Sequence, residues 1–331
     1  MLFKKRKHNI LVLGSDGMLG YDVYNTLLQL SATEDSNVGI VIGIGKEAGL
    51  KLHERNALSH FMANSIHFDY CINCVAFTDT NCAENEDIGK ILSYQLNALA
   101  PKYIAESCIL HHTKLIHIST DYVFSELSDD VHHRLGGMFM PYSETFPVNA
   151  YGKDKLLGEI GVANAYHKWP KGYAILRTSW LYGMHNSKSF IHKFLKNVVS
   201  TLKYSKTHEV SMTENEKSVP TSTYYLTKCI LSVIDDKKYG TFHAVPLTND
   251  YGVTRLQYAK AILDSLKSCK NANEIGLSDI KLKPVKLKGH WPEFSAMANT
   301  IGPCRYWELE LNLFLNKNFD ALAEFMTMIA K

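Results

Sequence analysis

The chain has 331 residues, 46% of them hydrophobic and 21% charged, a globular composition with ample apolar surface for a core. The formal net charge is only +3, and the local excess at Lys4, Lys5, Arg6 and Lys7 reads as a solvated tail ahead of the first strand. No basic face is visible elsewhere, which argues against nucleic acid or a membrane surface as partner.

The first apolar run, Ile10 to Leu13, stops at glycine and is too short for a signal segment or a membrane span. No other stretch approaches transmembrane length, so a cytoplasmic location is expected. The run instead reads as a buried parallel strand. Leu19, Val23, Leu27 and Leu30 then give helical spacing. Val38 to Ile44 is a second strand, Leu50 to Leu52 a short third, and Ala57 to Ala63 a helix. Cys71 to Phe77 is the next strand, followed by a helix from Ile88 to Leu110 with Pro101 at a break or start. Lys114 to Ile118 is a strand, and Glu126 to Met140, which includes Gly136-Gly137, is a surface loop. Asn149 to Tyr166 is helical and Tyr173 to Thr178 a strand. This alternation predicts a doubly wound parallel sheet of the Rossmann type.

Beyond about residue 180 the pattern is more mixed. Helices are expected at Phe190–Leu202, Thr223–Ile234, Arg255–Leu266 and Phe319–Ile329, and strands near Val210–Met212 and Thr241–Val245. Residues 1–180 thus form the dinucleotide-binding half with the catalytic motifs. Residues 181–331 form a smaller mixed α/β substrate-binding lobe, interleaved with the Rossmann core, and a cleft between the two is the expected ligand site.

Cysteines stand at positions 71, 74, 82, 108, 229, 269 and 304. The C-x-x-C pair Cys71/Cys74 lies in an apolar run, and residues three apart on a strand face opposite sides. Reduced, buried thiols are expected rather than a redox or zinc pair. The pairs His111-His112 and His132-His133 have no acidic or cysteine partner at ligand spacing, so no metal site is expected.

Three motifs carry chemistry. Gly14-Ser15-Asp16-Gly17-Met18-Leu19-Gly20 is a G-x-x-G-x-x-G loop between the first strand and its helix. Glycines there let the backbone approach a pyrophosphate at a helix N-terminus. The second strand ends Ile42-Gly43-Ile44-Gly45-Lys46, without the acid that usually meets the ribose of NAD. Lys46 could meet a 2′-phosphate, so NADPH is expected to be preferred or at least well accepted, with NADH the other option. Tyr151 and Lys155 form a Y-x-x-x-K pair on one helix face. A neighbouring ammonium would lower the phenol's pKa and fit Tyr151 to act as a general acid. Ser119-Thr120-Asp121-Tyr122 follows an apolar strand, where a hydroxyl can project into the ligand crevice.

The segments GSDGMLG, INCVAFTD, LNALAPKYIAE, IHISTDYVFS, PYSETFPVNAYGKDKLLGE, ILRTSWLYG, SVPTSTYYL and GTFHAV occur in this order between residues 14 and 245. Together they closely resemble the dTDP-4-dehydrorhamnose reductase family of extended short-chain dehydrogenases. The resemblance implies NAD(P)H-dependent reduction of the 4-keto group of a nucleotide-activated 6-deoxyhexose. It implies Thr120, Tyr151 and Lys155 as the catalytic trio, and Asn97 as a residue that positions Lys155 through a water. Gly14, Gly17, Met18, Leu19, Gly20, Lys46, Ala76 and Thr78 would line the cofactor, and Asp121, Tyr122 and Trp180 the substrate. A nucleotide sugar is the implied substrate, a homodimer is compatible with it, and a 4,6-dehydratase and a 3,5-epimerase are the implied pathway neighbours.

The chain departs from the family pattern in three places. Lys51-Leu52 stands where the family often has an Asp-Leu or Asp-Ile pair near the adenine, and Met297-Ala298-Asn299-Thr300 replaces an Arg-Pro near the C-terminus. Extra residues separate Phe124 from Pro141. Two other functions share much of the pattern: a non-catalytic subunit like the β subunit of methionine adenosyltransferase, and a bifunctional 3,5-epimerase/4-reductase.

Overall fold

The computed structural model describes residues 6–127, 137–249, 251–267, 276–286 and 291–330. Lys4, Lys5, Cys269, the pair His132-His133 and most of the loop expected over 126–140 lie outside the described residues.

The first half alternates strands and helices. In order these are β1 (His8–Leu13), α1 (Met18–Ser31), β2 (Val38–Ile44), α2 (Ala57–Ala63), β3 (Tyr70–Asn73), α3 (Thr80–Asn85), α4 (Asp87–Ser93), α5 (Ala100–Leu110), β4 (Lys114–Thr120), α6 (Ala150–Ala165) and β5 (Tyr173–Thr178). The second half contributes β6 (Leu181–Tyr182), α7 (Phe190–Tyr204), β7 (Glu209–Thr213), β8 (Lys217–Ser218), β9 (Thr221–Ser222), α8 (Thr223–Asp235), β10 (Gly240–His243), β11 (Val253–Thr254), α9 (Arg255–Lys267), β12 (Lys281–Val285), α10 (Trp307–Lys317) and α11 (Phe319–Ala330).

Six parallel strands form the central sheet in the order β2-β1-β3-β4-β5-β10. Alternation along β1 explains why both faces must be covered. Ile10 and Val12 pack with α1 and α8 residues such as Val23, Leu27 and Ile230. Leu11 and Leu13 pack on the other face with Leu58, Ile104 and Val162 of α2, α5 and α6. The chain order reverses beside β1, which is where a crevice opens at the carboxyl ends of such strands. The second half has its own apolar core, built around Trp180, Tyr258 and Trp307. It also returns α8 and β10 to the sheet.

Several expected elements differ. Leu50 to Leu52 is not a strand: Leu52 N donates to Leu50 O and Glu54 N to Lys51 O, so the segment turns locally and buries Leu52. β3 ends at Asn73 rather than Phe77, because Asn73 Oδ1 accepts the Val75 amide at 3.0 Å and bends the chain. The helix expected over 88–110 contains a π-helical turn at Tyr94–Leu99. The cysteines are not uniformly buried: Cys82 is partly exposed and Cys304 exposed. Cys71 packs on the α5 face of the sheet and Cys74 against the α1 face, as strand alternation requires.

Candidate active site

The glycine loop lies between β1 and α1. Gly14 adopts φ +78 and donates its amide to Ile44 O at 2.7 Å. A Cβ on Gly20 would stand 1.9 Å from Gly14 O, so only glycine allows the first turn of α1 to pass so close to the loop. The helix starts from Gly17 with no side-chain cap and no acid in its first turn. Its free N–H groups and partial positive charge therefore suit an anion, and the loop fits the pyrophosphate of a dinucleotide. Leu19 is buried in the core, so only its backbone is available to a ligand.

Ala76 and Thr78 follow β3 on a stretch pinned by two asparagines. Asn97 Oδ1 accepts the Phe77 amide at 3.1 Å, and Asn97 Nδ2 donates to Phe77 O at 2.9 Å. The π-helical turn brings this buried side chain to the strand end, a common use of such turns. The Asn97 side chain thus fixes the loop carrying Ala76 and Thr78, and it also donates to Ser93 Oγ at 3.2 Å. Lys46 is exposed, and its amide donates to Asp16 Oδ2 at 2.8 Å.

Thr120 ends β4, while Tyr151 and Lys155 occupy the first turns of α6. Asn149 caps that helix by accepting the Gly152 amide at 2.8 Å. Glu84 Oε2 accepts the Ala150 amide at 2.7 Å. The Thr120 hydroxyl lies beside the Tyr151 phenol. Burial pushes the Tyr151 phenol up, with the neighbouring Thr120 hydroxyl pulling the other way and the Asp121 carboxylate adding to the rise. Lys155 is 1% exposed and donates to Ile118 O at 2.6 Å. Burial pulls its ammonium down to about 8, against the Glu159 and Cys74 charges. The phenol is thus not lowered by the lysine as expected; desolvation decides its direction and keeps it protonated at neutral pH.

Asp121 is 2% exposed, and its two oxygens are fully engaged. Oδ2 accepts from Ser179 at 2.9 Å, Ser218 at 2.5 Å and Ser295 at 2.7 Å, and Oδ1 from Thr120 at 3.1 Å. Burial raises its carboxyl while these four hydroxyls pull it down. Tyr122 donates to Glu216 Oε1 at 3.1 Å, and Arg255 Nε pairs with Glu216 Oε2 at 3.3 Å. The guanidinium lies 3.6 Å over the Trp180 ring. Trp180 holds φ +37, a left-handed backbone that a bulky residue adopts at a cost of about 1–3 kcal/mol. The Tyr122 ring meets Tyr151 edge-on with centroids 5.9 Å apart, so Tyr122, Trp180 and the Glu216–Arg255 pair line one end of the trio.

Sequence reasoning missed Glu216, Arg255 and the three serines. Ser218 opens the SVPTSTYYL segment and Glu216 lies two residues ahead of it, so the motif marked the region without marking these side chains. Below the site, Arg177 and Glu159 make a buried pair at 2.7 Å that also receives Ser119 Oγ at 2.5 Å, tying α6 to β4 and β5. Among the described residues, no group of three His, Cys, Asp or Glu side chains is placed to hold a metal ion. His111 lies against Ser59 at 3.1 Å.

A glycine-loop Rossmann half with a Thr-Tyr-Lys set at its crevice defines an oxidoreductase of the extended short-chain dehydrogenase/reductase class. Within that class the chain belongs to the RmlD substrate binding domain family, whose profile matches residues 8–316. The dTDP-4-dehydrorhamnose reductase of Mycobacterium tuberculosis is 28% identical over 258 residues, covering 74% of this chain and 75% of that protein. A solved Clostridium acetobutylicum dTDP-4-dehydrorhamnose reductase is 26% identical with a TM-score of 0.75, covering 93% of this chain and 99% of its own. A Bacillus anthracis dTDP-4-dehydrorhamnose reductase solved in complex with NADP has a TM-score of 0.74 and covers 94% of this chain and 99% of its own. At 23% identity, that last likeness concerns the fold.

Proposed function

We propose that this protein reduces the 4-keto group of a nucleotide-activated 6-deoxyhexose, using a nicotinamide dinucleotide as reductant. The observation that carries the reading is that Thr120, at the carboxyl end of β4, stands beside Tyr151 of α6 in the same crevice as an anion-receptive glycine loop. A reduced nicotinamide, when bound, would supply the hydride that the carbonyl carbon takes up. Tyr151 holds the proton that the carbonyl oxygen needs, and burial keeps it there at neutral pH. Thr120 presents a second hydroxyl to that oxygen. Asp121 is a positioning residue in this reading, because its carboxylate receives the Thr120 hydroxyl and is closed to solvent. Lys155, anchored on Ile118 O, provides a cation beneath Tyr151 and a donor for the nicotinamide ribose. Tyr122 and Trp180 wall the hexose.

On this reading a 4,6-dehydratase and a 3,5-epimerase are the pathway neighbours, and a homodimer is the assembly to check by light scattering. No helix among the described residues is long and apolar enough to cross a membrane. The direct test is oxidation of NADPH and NADH by the purified protein with a panel of dTDP- and UDP-4-keto-6-deoxysugars. Oxidation that depends on the keto sugar is expected, and its absence across the panel would refute the assignment.

A further inference from the structure

In this fold the residue closing the second strand faces the adenosine ribose, and an acid there accepts the 2′- and 3′-hydroxyls. Here β2 ends at Ile44, and Gly45 and Lys46 follow. The missing carboxylate arrives from another segment. Asp16, inside the glycine loop, places Oδ2 2.8 Å from the Lys46 amide. A Cβ on Gly45 would lie 2.8 Å from Asp16 Cγ, so the glycine at the strand end makes room for this side chain.

The backbone of Asp16 is anchored independently. His185 Nε2 lies 3.0 Å from Asp16 O, and the His185 ring stacks on Tyr21 with centroids 4.0 Å apart and planes within 1°. Tyr21 belongs to α1, so the loop around His185 and the helix hold the aspartate between them. Asp16 itself is exposed, with its carboxylate beside the end of β2. The local charges are Asp16 and Glu47 against Lys46, a net of −1 from two acids and one base. Of these, Asp16 is the one whose carboxylate is fixed on the end of β2.

We propose that Asp16 is the residue that selects the dinucleotide: its carboxylate accepts the ribose hydroxyls of NADH and repels the 2′-phosphate of NADPH. Lys46 acts in the opposite sense from a position not fixed by any such contact. The inference rests on the reductase reading and deepens it, since it concerns which reductant the same crevice takes.

The experiment is binding without sugar. Dissociation constants of NADH and NADPH are measured by calorimetry for the wild-type chain and for Asp16→Asn and Asp16→Ala, with thermal shift confirming that each variant is folded. One carboxylate near a solvated phosphate is worth about fivefold or more in affinity. The wild type is therefore expected to bind NADH more tightly than NADPH by about that factor, and both variants to erase or reverse the preference. An NADPH-to-NADH ratio that stays within about twofold of wild type in both variants would overturn the inference and leave the reductase reading standing. Failure of the wild type to bind either dinucleotide would remove that reading and this inference together.

Discussion

Ser295 Oγ donates to Asp121 Oδ2 at 2.7 Å across 174 positions of sequence. The same oxygen receives Ser218 and Ser179, and the other oxygen receives Thr120. One buried carboxylate thus joins the end of β4, the residue after β5 and two segments of the second half, with the Thr120 hydroxyl as one of its four ligands. Hydrogen bonds to a buried charge each contribute about 1.5–3 kcal/mol. Ser295→Ala is expected to lower stability by about 1–3 kcal/mol, and Asp121→Ala, which strands four hydroxyls, by about 3–5 kcal/mol. Urea unfolding measures both. Ser295→Ala should also lower kcat more than it changes KM, because the Asp121 carboxylate that receives the Thr120 hydroxyl loses one of its supports; unchanged kcat would limit the network to stability.

Tyr151 carries the proton in the proposed chemistry. Tyr151→Phe keeps the ring and its edge-on contact with Tyr122. Turnover should fall by roughly two to four orders of magnitude, the usual contribution of a general acid. Dinucleotide affinity, measured by fluorescence quenching, should remain. Near-wild-type turnover would show that another group delivers the proton.

The parts of this site that were legible in the sequence were those fixed by local spacing. A strand, a glycine loop and a helix start are contiguous, so Gly14 to Gly20 announced themselves, and Tyr151 and Lys155 are one helical turn apart. The motif order pointed to Thr120 in the same way. What stayed hidden depends on contacts between distant segments. Glu216 meets Tyr122 across 94 positions and Ser218 meets Asp121 across 97, and no periodicity encodes either. Asp16 stayed hidden for the same reason: the end of β2 lacks an acid in sequence, yet Asp16 brings its carboxylate to the Lys46 amide from 30 positions away. The sheet was readable because apolar alternation dictates it. The short strand expected at Leu50–Leu52 was not, because turn hydrogen bonds outcompeted a weak pattern.

Lys155 sets the expected pH profile. Its ammonium is pulled down to about 8 by burial, while Tyr151 is pushed up and stays protonated. As pH rises through about 8, Lys155 loses its proton, so kcat/KM should descend above that point. Unfolding through this group cannot mimic the limb. The unfolded lysine has the higher pKa and binds more protons between about 8 and 10.5, so its contribution to stability rises with pH across that window. Lys155→Arg, with a guanidinium that stays charged, should move the limb upward if the variant folds. A rate flat to pH 9.5 or so would mean that the lysine charge is not what the reaction uses.

The last prediction separates this protein from the sugar-nucleotide 4,6-dehydratases, which share the glycine loop and the Y-x-x-x-K pair. Eliminating water across C5 and C6 requires a base for the C5 proton and an acid for the leaving hydroxyl. Dehydratases supply both from an Asp-Glu pair directly after the threonine. Here Thr120 is followed by Asp121 and Tyr122. Asp121 cannot serve, since four hydroxyls occupy its oxygens and it is closed to solvent. Tyr122 replaces the second acid, and burial together with the Glu216 charge pushes its phenol well up, so at neutral pH it is a donor and no base. Another carboxylate at this end of the site, Glu216, is held by the Tyr122 hydroxyl on one oxygen and by Arg255 on the other. With both oxygens engaged in this way, Glu216 is not free to reach a substrate proton. Incubation with NAD and dTDP-glucose or UDP-glucose should therefore yield no product 18 mass units lighter, about the mass of one water lost in elimination. The same preparation should oxidise NAD(P)H when given the 4-keto-6-deoxy sugar nucleotide, after 3,5-epimerisation where the rhamnose route applies. Loss of water in the first assay would identify Glu216 as a working base, with Glu216→Gln abolishing it, and the reductase assignment would have to be widened to include elimination.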